Sequence, residues 1–117
     1  MARHMHTGKI GELLGHRYLQ NQQFILLATN WRHSHWEVDV IASKNEVLHF
    51  IEIKTRRTAS YGMPEDKVDA KKISYLQNAA AQYLYQHPQW KRIQFDILSI
   101  SLHANDTADY FFIADVH

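Results

Sequence analysis

The chain contains no cysteine, which excludes disulfides and thiolate metal sites. Proline and glycine are scarce, two and four residues in 117. No repeat, composition break or low-complexity run divides the sequence, so a single domain over 1–117 is expected. A chain of this length buries about two-thirds of its unfolded surface. No apolar run reaches membrane-spanning length, and the polar start M-A-R-H-M-H-T-G does not read as a signal peptide. A cytoplasmic location with no membrane partner is the expectation. Charge of one sign is also lacking: the net charge is +1 and the pI about 8.1, weak for a nucleic-acid binder. Hydrophobic content of 45% with 12% aromatic residues nevertheless places the chain among globular proteins rather than disordered ones.

What is present centres on Trp36 to Arg57, which reads as two strands joined by the polar turn Lys44-Asn45-Glu46. Asp39, Glu52 and Lys54 interrupt these apolar strands. Alternation puts Glu52 and Lys54 on one face, with Ile51 and Ile53 on the other. A two-residue loop at Lys44-Asn45 or at Asn45-Glu46 brings Asp39 to the face of Glu52, and the second register sets the two directly opposite. Like charges there destabilise a sheet unless a proton or a cation uses them. Carboxylate oxygens suit Mg²⁺, which keeps several waters and shares its site with a phosphate. A neighbouring lysine can offset phosphate charge or help deprotonate a water. The implied chemistry is metal-dependent phosphodiester hydrolysis. The bland alternative is a solvated face with a weak Glu52–Lys54 pair, worth about 0–1 kcal/mol, and for so short a pattern alone it would prevail.

A resemblance over nearly the whole chain changes the balance. The spacing D-x12-E-I-K resembles the PD-(D/E)xK signature of restriction-endonuclease-like nucleases. In order, G-K-I-G-E, N-W-R, W-E-V-D-V-I-A, F-I-E-I-K-T-R, Y-G-M-P, V-D-A-K-K and Q-F-D-I-L-S-I are similar to segments of the YraN-like family of small bacterial proteins. The resemblance implies a three-layer α/β domain, a mixed sheet of about five strands flanked by two main helices. It implies a nuclease site at Glu12, Asp39, Glu52 and Lys54, with Mg²⁺ or Mn²⁺ held by Asp39, Glu52 and the Ile53 backbone carbonyl. Glu12 would be an outer ligand or would position water; on its own it reads as an acid favoured by a helix dipole. Trp36 stands where a glycine is usual, so its ring is expected to narrow the cleft or stack on a base.

Along the chain, a helix is expected over Gly8–Asn21 with Ile10, Leu13, Leu14 and Tyr18 inward. Gly8, Gly11 and Gly15 hint at close packing on the sheet. Phe24–Asn30 reads as a continuous apolar strand, hence buried on both faces or central. His33, His35, Glu37 and Asp39, spaced by two, would share a face and could bind a transition metal if the strand began at Ser34. Thr55–Pro64 reads as a loop over the cleft, in which Arg56, Arg57 and Tyr61 could meet phosphate or a base. The long helix is expected from Glu65 to His87, with Glu65, Asp66 and Asp69 at its start. Its core stripe is Ile73, Leu76, Ala80, Tyr83 and Leu84. Lys71 and Lys72 add to a local excess of three positive charges between Lys54 and Lys72, which fits backbone contact with DNA. Arg92–Ser101 and Tyr110–Val116 close the sheet, with Asp96 facing solvent or capping an edge. The helix between the third and fourth strands provides a parallel crossover.

The expected partner is DNA, with branched and single-stranded forms left open. A homodimer is the form in which a one-site nuclease cuts both strands symmetrically. The rivals are a nucleic-acid-binding module on the same fold that does not cut, and a protein-interaction domain.

Overall fold

The computed structural model describes residues 7–57 and 70–116. Its elements are α1 (Thr7–Asn21), β1 (Ile25–His33), β2 (Trp36–Lys44), β3 (Val47–Arg57), α2 (Ala70–Gln86), β4 (Ile93–Leu102) and β5 (Ala108–Ile113). The strands form one sheet in chain order, antiparallel except where β3 lies parallel to β4. That parallel pair needs a long crossover, and α2 lies in it. The result is the expected α/β domain: a five-stranded mixed sheet with two helices packed on it.

Each helix covers its own core. On one face Leu19 of α1 joins Phe24, Val40, Ala42, Ile51, Leu98 and Ile100. On the other, Ala79, Ala80 and Tyr83 of α2 meet Val38, Ile41, Leu48 and Phe50. The expected α2 stripe holds for Leu76, Ala80 and Tyr83, with Ala79 added. The α1 stripe is rotated from the expected one: Gly11, Gly15 and Leu19 are buried, whereas Leu13 is 56% exposed. The glycines cause the rotation. A Cβ on Gly11 would stand 1.8 Å from Thr55 Oγ1, and one on Gly15 2.7 Å from Ile53 Cδ1. Each costs about 1 kcal/mol of helix propensity, yet lets the helix backbone lie against β3.

α1 ends in a Schellman turn. The Phe24 N–H reaches the Leu19 carbonyl and the Gln23 N–H that of Gln20 (3.0 and 3.1 Å), with Gln23 at φ 75° where glycine is usual. Phe24 and Leu19 share the core behind it.

Two expectations are corrected. β1 is an edge strand, not a central one, and Ile25 is 64% exposed. Its apolar run has another cause: a bulge between Leu26 and Ala28 sends Leu26 to the α1 side and Ala28 to the α2 side. Asp96 does not face solvent. It is fully buried in β4, a strand with neighbours on both sides. Its carboxylate accepts from His49 Nδ1 at 2.6 Å, from Gln94 Nε2 at 2.8 Å and from the Asp115 N–H at 2.8 Å. β3 also runs to Arg57, past the expected start of the loop. Tyr61 and the acids Glu65, Asp66 and Asp69 lie outside the described residues.

Candidate active site

The β2–β3 hairpin takes the second of the two registers considered. Lys44 pairs with Val47 across an Asn45-Glu46 loop, both loop residues at positive φ, as a tight right-twisted hairpin requires. The same register continued would set Asp39 opposite Glu52, but the ladder ends at Val40 and Ile51. The Ile53 N–H, which the next rung would direct at Val38, instead donates to Asp39 Oδ2 at 2.8 Å. A strand residue projects its N–H and C=O toward the same neighbour. The Ile53 carbonyl therefore opens into the gap that holds the Asp39 carboxylate.

Asp39 sits where β2 changes phase. Val38 packs in the α2-side core and Val40 in the α1-side core, although residues two apart on a regular strand share a face. Across the sheet, Asn30 lies between the pairs Thr29–Val40 and Trp31–Val38 and has φ 53°. That left-handed residue accompanies the kink, and its Nδ2 donates to Glu12 Oε1 at 3.2 Å. Glu12, Asp39, Ile53, Thr55 and Gly8 line a cavity of about 330 Å³ at this end of the sheet.

The expected single face is thereby divided. Glu52 follows Phe50 toward α2 and pairs with Lys72 Nζ at 3.0 Å, while Asp39 enters the strand gap and borders the α1-side cavity. Strand phase explains the difference: β3 keeps its alternation and β2 loses it at Asp39. Lys54, half-buried on β3 beside Ser99 of β4, forms no hydrogen bond or ion pair among the described residues.

Electrostatics single out Asp39. Burial raises its pKa from the ordinary 3.8 to about 6; the Ile53 hydrogen bond opposes this, and the charges of Glu52, Glu37 and Glu12 add to it. Among the described residues, no three His, Asp or Glu side chains stand close enough together to enclose a metal ion. The histidine series falls on a turn: His33 pairs with Trp36 across Ser34-His35, His33 stacks on Trp31, and His35 lies against Trp36.

The expected DNA contacts separate as well. Arg56 Nε donates to Ser101 Oγ at 3.4 Å, Arg57 Nε donates to Thr7 Oγ1 at 3.1 Å, Lys71 is exposed, and Lys72 holds Glu52. Trp36 packs on Tyr75 of α2, with ring centroids 5.0 Å apart. Sequence reasoning missed Tyr75, whose hydroxyl accepts the Glu37 N–H at 2.8 Å and donates to the His35 carbonyl at 3.2 Å. It also missed Asn30. The signal for Asn30 was its residue type, since asparagine is among the few that enter the left-handed region readily.

Fold and site together define a class: a layered α/β domain with a half-buried aspartate and a second acid lining one cavity at the open end of a β-hairpin. The model of the family described as Uncharacterised protein family UPF0102 matches residues 11–100, and the chain belongs to that family. Similar members are UPF0102 proteins of Flavobacterium psychrophilum, at 37% identity over 86% of this chain and 84% of the relative, and of Dictyoglomus thermophilum, at 41% over 81% of each. One from Solibacter usitatus shares 38% identity over 88% of this chain and 80% of its own length.

Proposed function

We propose that this domain is a metal-dependent nuclease of the PD-(D/E)xK type, as its resemblance to YraN-like proteins implies, acting on DNA with Mg²⁺ or Mn²⁺. The observation that carries the reading is Asp39, pinned in the strand gap by the Ile53 N–H beside the Ile53 carbonyl that opens into the same gap, with Glu12 lining the same cavity. The donors are hard oxygens in an open set. Such a set suits Mg²⁺ or Mn²⁺, which keep water ligands and share phosphate oxygens, and does not suit a closed transition-metal cage. Asp39 and the Ile53 carbonyl would hold the ion, with Glu52 joining once it leaves Lys72. The ion would supply Lewis acidity at the phosphate and an acidified water. Lys54 brings an uncommitted ammonium to orient water and offset phosphate charge, and Glu12, steadied by Asn30, positions solvent at the rim. Lys71, Arg56 and Arg57 would add positive charge for contact with the DNA backbone.

One observation favours a second reading, a module that binds nucleic acid without cutting it. The Glu52–Lys72 pair at 3.0 Å competes with metal for one of the two central carboxylates.

A single experiment separates the readings: Mn²⁺ calorimetry on wild type and Asp39→Asn, followed by a cleavage screen on duplex, branched and single-stranded DNA. The nuclease reading expects one Mn²⁺ site, absent in the variant, and cleavage lost on Asp39→Asn or Lys54→Ala with folding retained. DNA binding without cleavage on any substrate would sink it in favour of the second reading.

A further inference from the structure

The end of the sheet remote from Asp39 carries a second concavity with a different chemistry. Two short connections wall it: the Asn45-Glu46 turn between β2 and β3, and the segment 87–92 between α2 and β4. Both are fixed by backbone geometry. The turn residues have φ 53° and 66°, and the Arg92 carbonyl accepts the Leu48 N–H at 2.9 Å. Between them lies a cavity of about 520 Å³, within the range of roughly 300–1,000 Å³ common for small-ligand sites.

Its lining pairs an apolar floor with cations. Ile25 and Trp90 supply the apolar surface, and Trp90 is only half-buried although it packs on the α2-side core. Lys91 and Arg92 are exposed at its edge and Lys44 lines it as well, with Glu46 the only acid among its described lining residues. None of the three cations is in an ion pair among the described residues. Lys44 Nζ is instead held 4.8 Å from the centre of the Phe24 ring. Some cations elsewhere are neutralised at close range, as at Arg32–Glu37 and Lys72–Glu52. Here positive charge is left beside a partly open indole.

We infer that this cavity binds a nucleoside phosphate, with the base against Trp90 and the phosphate beside Lys91 and Arg92. A flat π-surface suits stacking with any base, and guanidinium and ammonium donors suit phosphate oxygens. The inference is independent of the nuclease reading, since no side chain of the Asp39 cavity lines this one.

The test titrates the full chain with AMP, adenosine, inorganic phosphate and a 5′-phosphorylated oligonucleotide, followed by calorimetry. Saturable AMP binding, tighter than that of adenosine or phosphate alone, is expected. Lys91→Glu/Arg92→Glu, two exposed positions that should not disturb folding, should weaken it by about tenfold or more. Trp90→Leu should weaken AMP but not phosphate, and Asp39→Asn should leave binding unchanged. Binding of AMP identifies free nucleotide as the ligand. Binding of the oligonucleotide alone identifies a strand end, and both support the site. Absence of saturable binding to either overturns the inference. So does a charge-reversed variant that binds like wild type, or a loss caused by Asp39→Asn, which would locate the ligand at the other end of the sheet.

Discussion

Asp39 and Asp96 each interrupt an apolar strand of this sheet and meet opposite fates. Asp96 is surrounded by donors: an imidazole, an amide side chain and a backbone N–H all point at its carboxylate. Asp39 has one backbone donor and, around it, the charges of Glu52, Glu37 and Glu12. A buried carboxylate with its hydrogen bonds satisfied holds structure together. One set among like charges costs stability and invites a cation. The contrast teaches that burial of an acid says little until its partners are counted, and that of the two Asp39 is the one left short of donors.

The comparison breaks first at Asp96. Replacing it by alanine leaves the buried His49 without its carboxylate and removes the acceptor of Gln94 and the Asp115 N–H, so Asp96→Ala should cost about 3 kcal/mol, read as a fall in the urea midpoint. A loss below about 1 kcal/mol would show that water replaces the network, and the contrast with Asp39 would collapse.

At Asp39 the sign reverses and depends on pH. The folded state keeps its proton up to about pH 6, while the unfolded chain releases it near 3.8. The folded protein therefore binds more protons in that window, and this group's contribution to stability is full below pH 3.8 and lost as pH rises through 6. The loss amounts to about 2–3 kcal/mol. Asp39→Asn removes it, so the variant should match wild type near pH 4 and exceed it above pH 7. Denaturation curves of both proteins from pH 4 to 8 give the difference directly. Parallel curves would mean that Asp39 titrates normally.

A divalent cation should restore at neutral pH what ionisation of Asp39 removes. If Mn²⁺ binds there, then at ten times its Kd wild type should gain about 1.4 kcal/mol and Asp39→Asn nothing. Equal gains in both would place the ion elsewhere. Because binding favours the ionised carboxylate, proton release should accompany it below about pH 6, where Asp39 is largely protonated, and fade by pH 8.

How much of this was legible in the sequence depended on how local the cause was. The hairpin and its two candidate registers followed from the apolar runs and the polar Lys44-Asn45-Glu46 turn. The parallel crossover followed from the helix between strands, and the close approach of α1 from Gly11 and Gly15. What failed was set by neighbours across the sheet. Asp39 leaves the face of Glu52 because β2 kinks beside Asn30, a residue nine positions earlier in the chain. Asp96 looked exposed because strict alternation was applied to a strand with neighbours on both edges. The outward turn of Leu13 followed from a helix that buries its glycines instead of its largest apolar residues. Asp39 and Glu52 were singled out by the D-x12-E-I-K spacing and the family resemblance, but not their divergence to two sides of the sheet. The Lys72 partner of Glu52 was visible only as a basic residue in a longer run.

The finest test of the contrast ranks the charges around Asp39. Glu52 acts on it most strongly, then Glu37, then Glu12. Glu52→Gln also releases Lys72, so the cleaner pair is Glu37→Gln and Glu12→Gln, each expected to favour ionisation of Asp39 by less than about 1 kcal/mol. Carbon-detected NMR titration of the Asp39 carboxyl should show the larger downward move for Glu37→Gln. Glu37 is fixed by its backbone bond to Tyr75 and by its side-chain pair with Arg32, so its charge is held in place. If Glu12→Gln moves Asp39 more, Glu12 approaches the carboxylate in solution more closely than Asn30 allows here. It would then count as a direct ligand of the cation instead of a group at the rim.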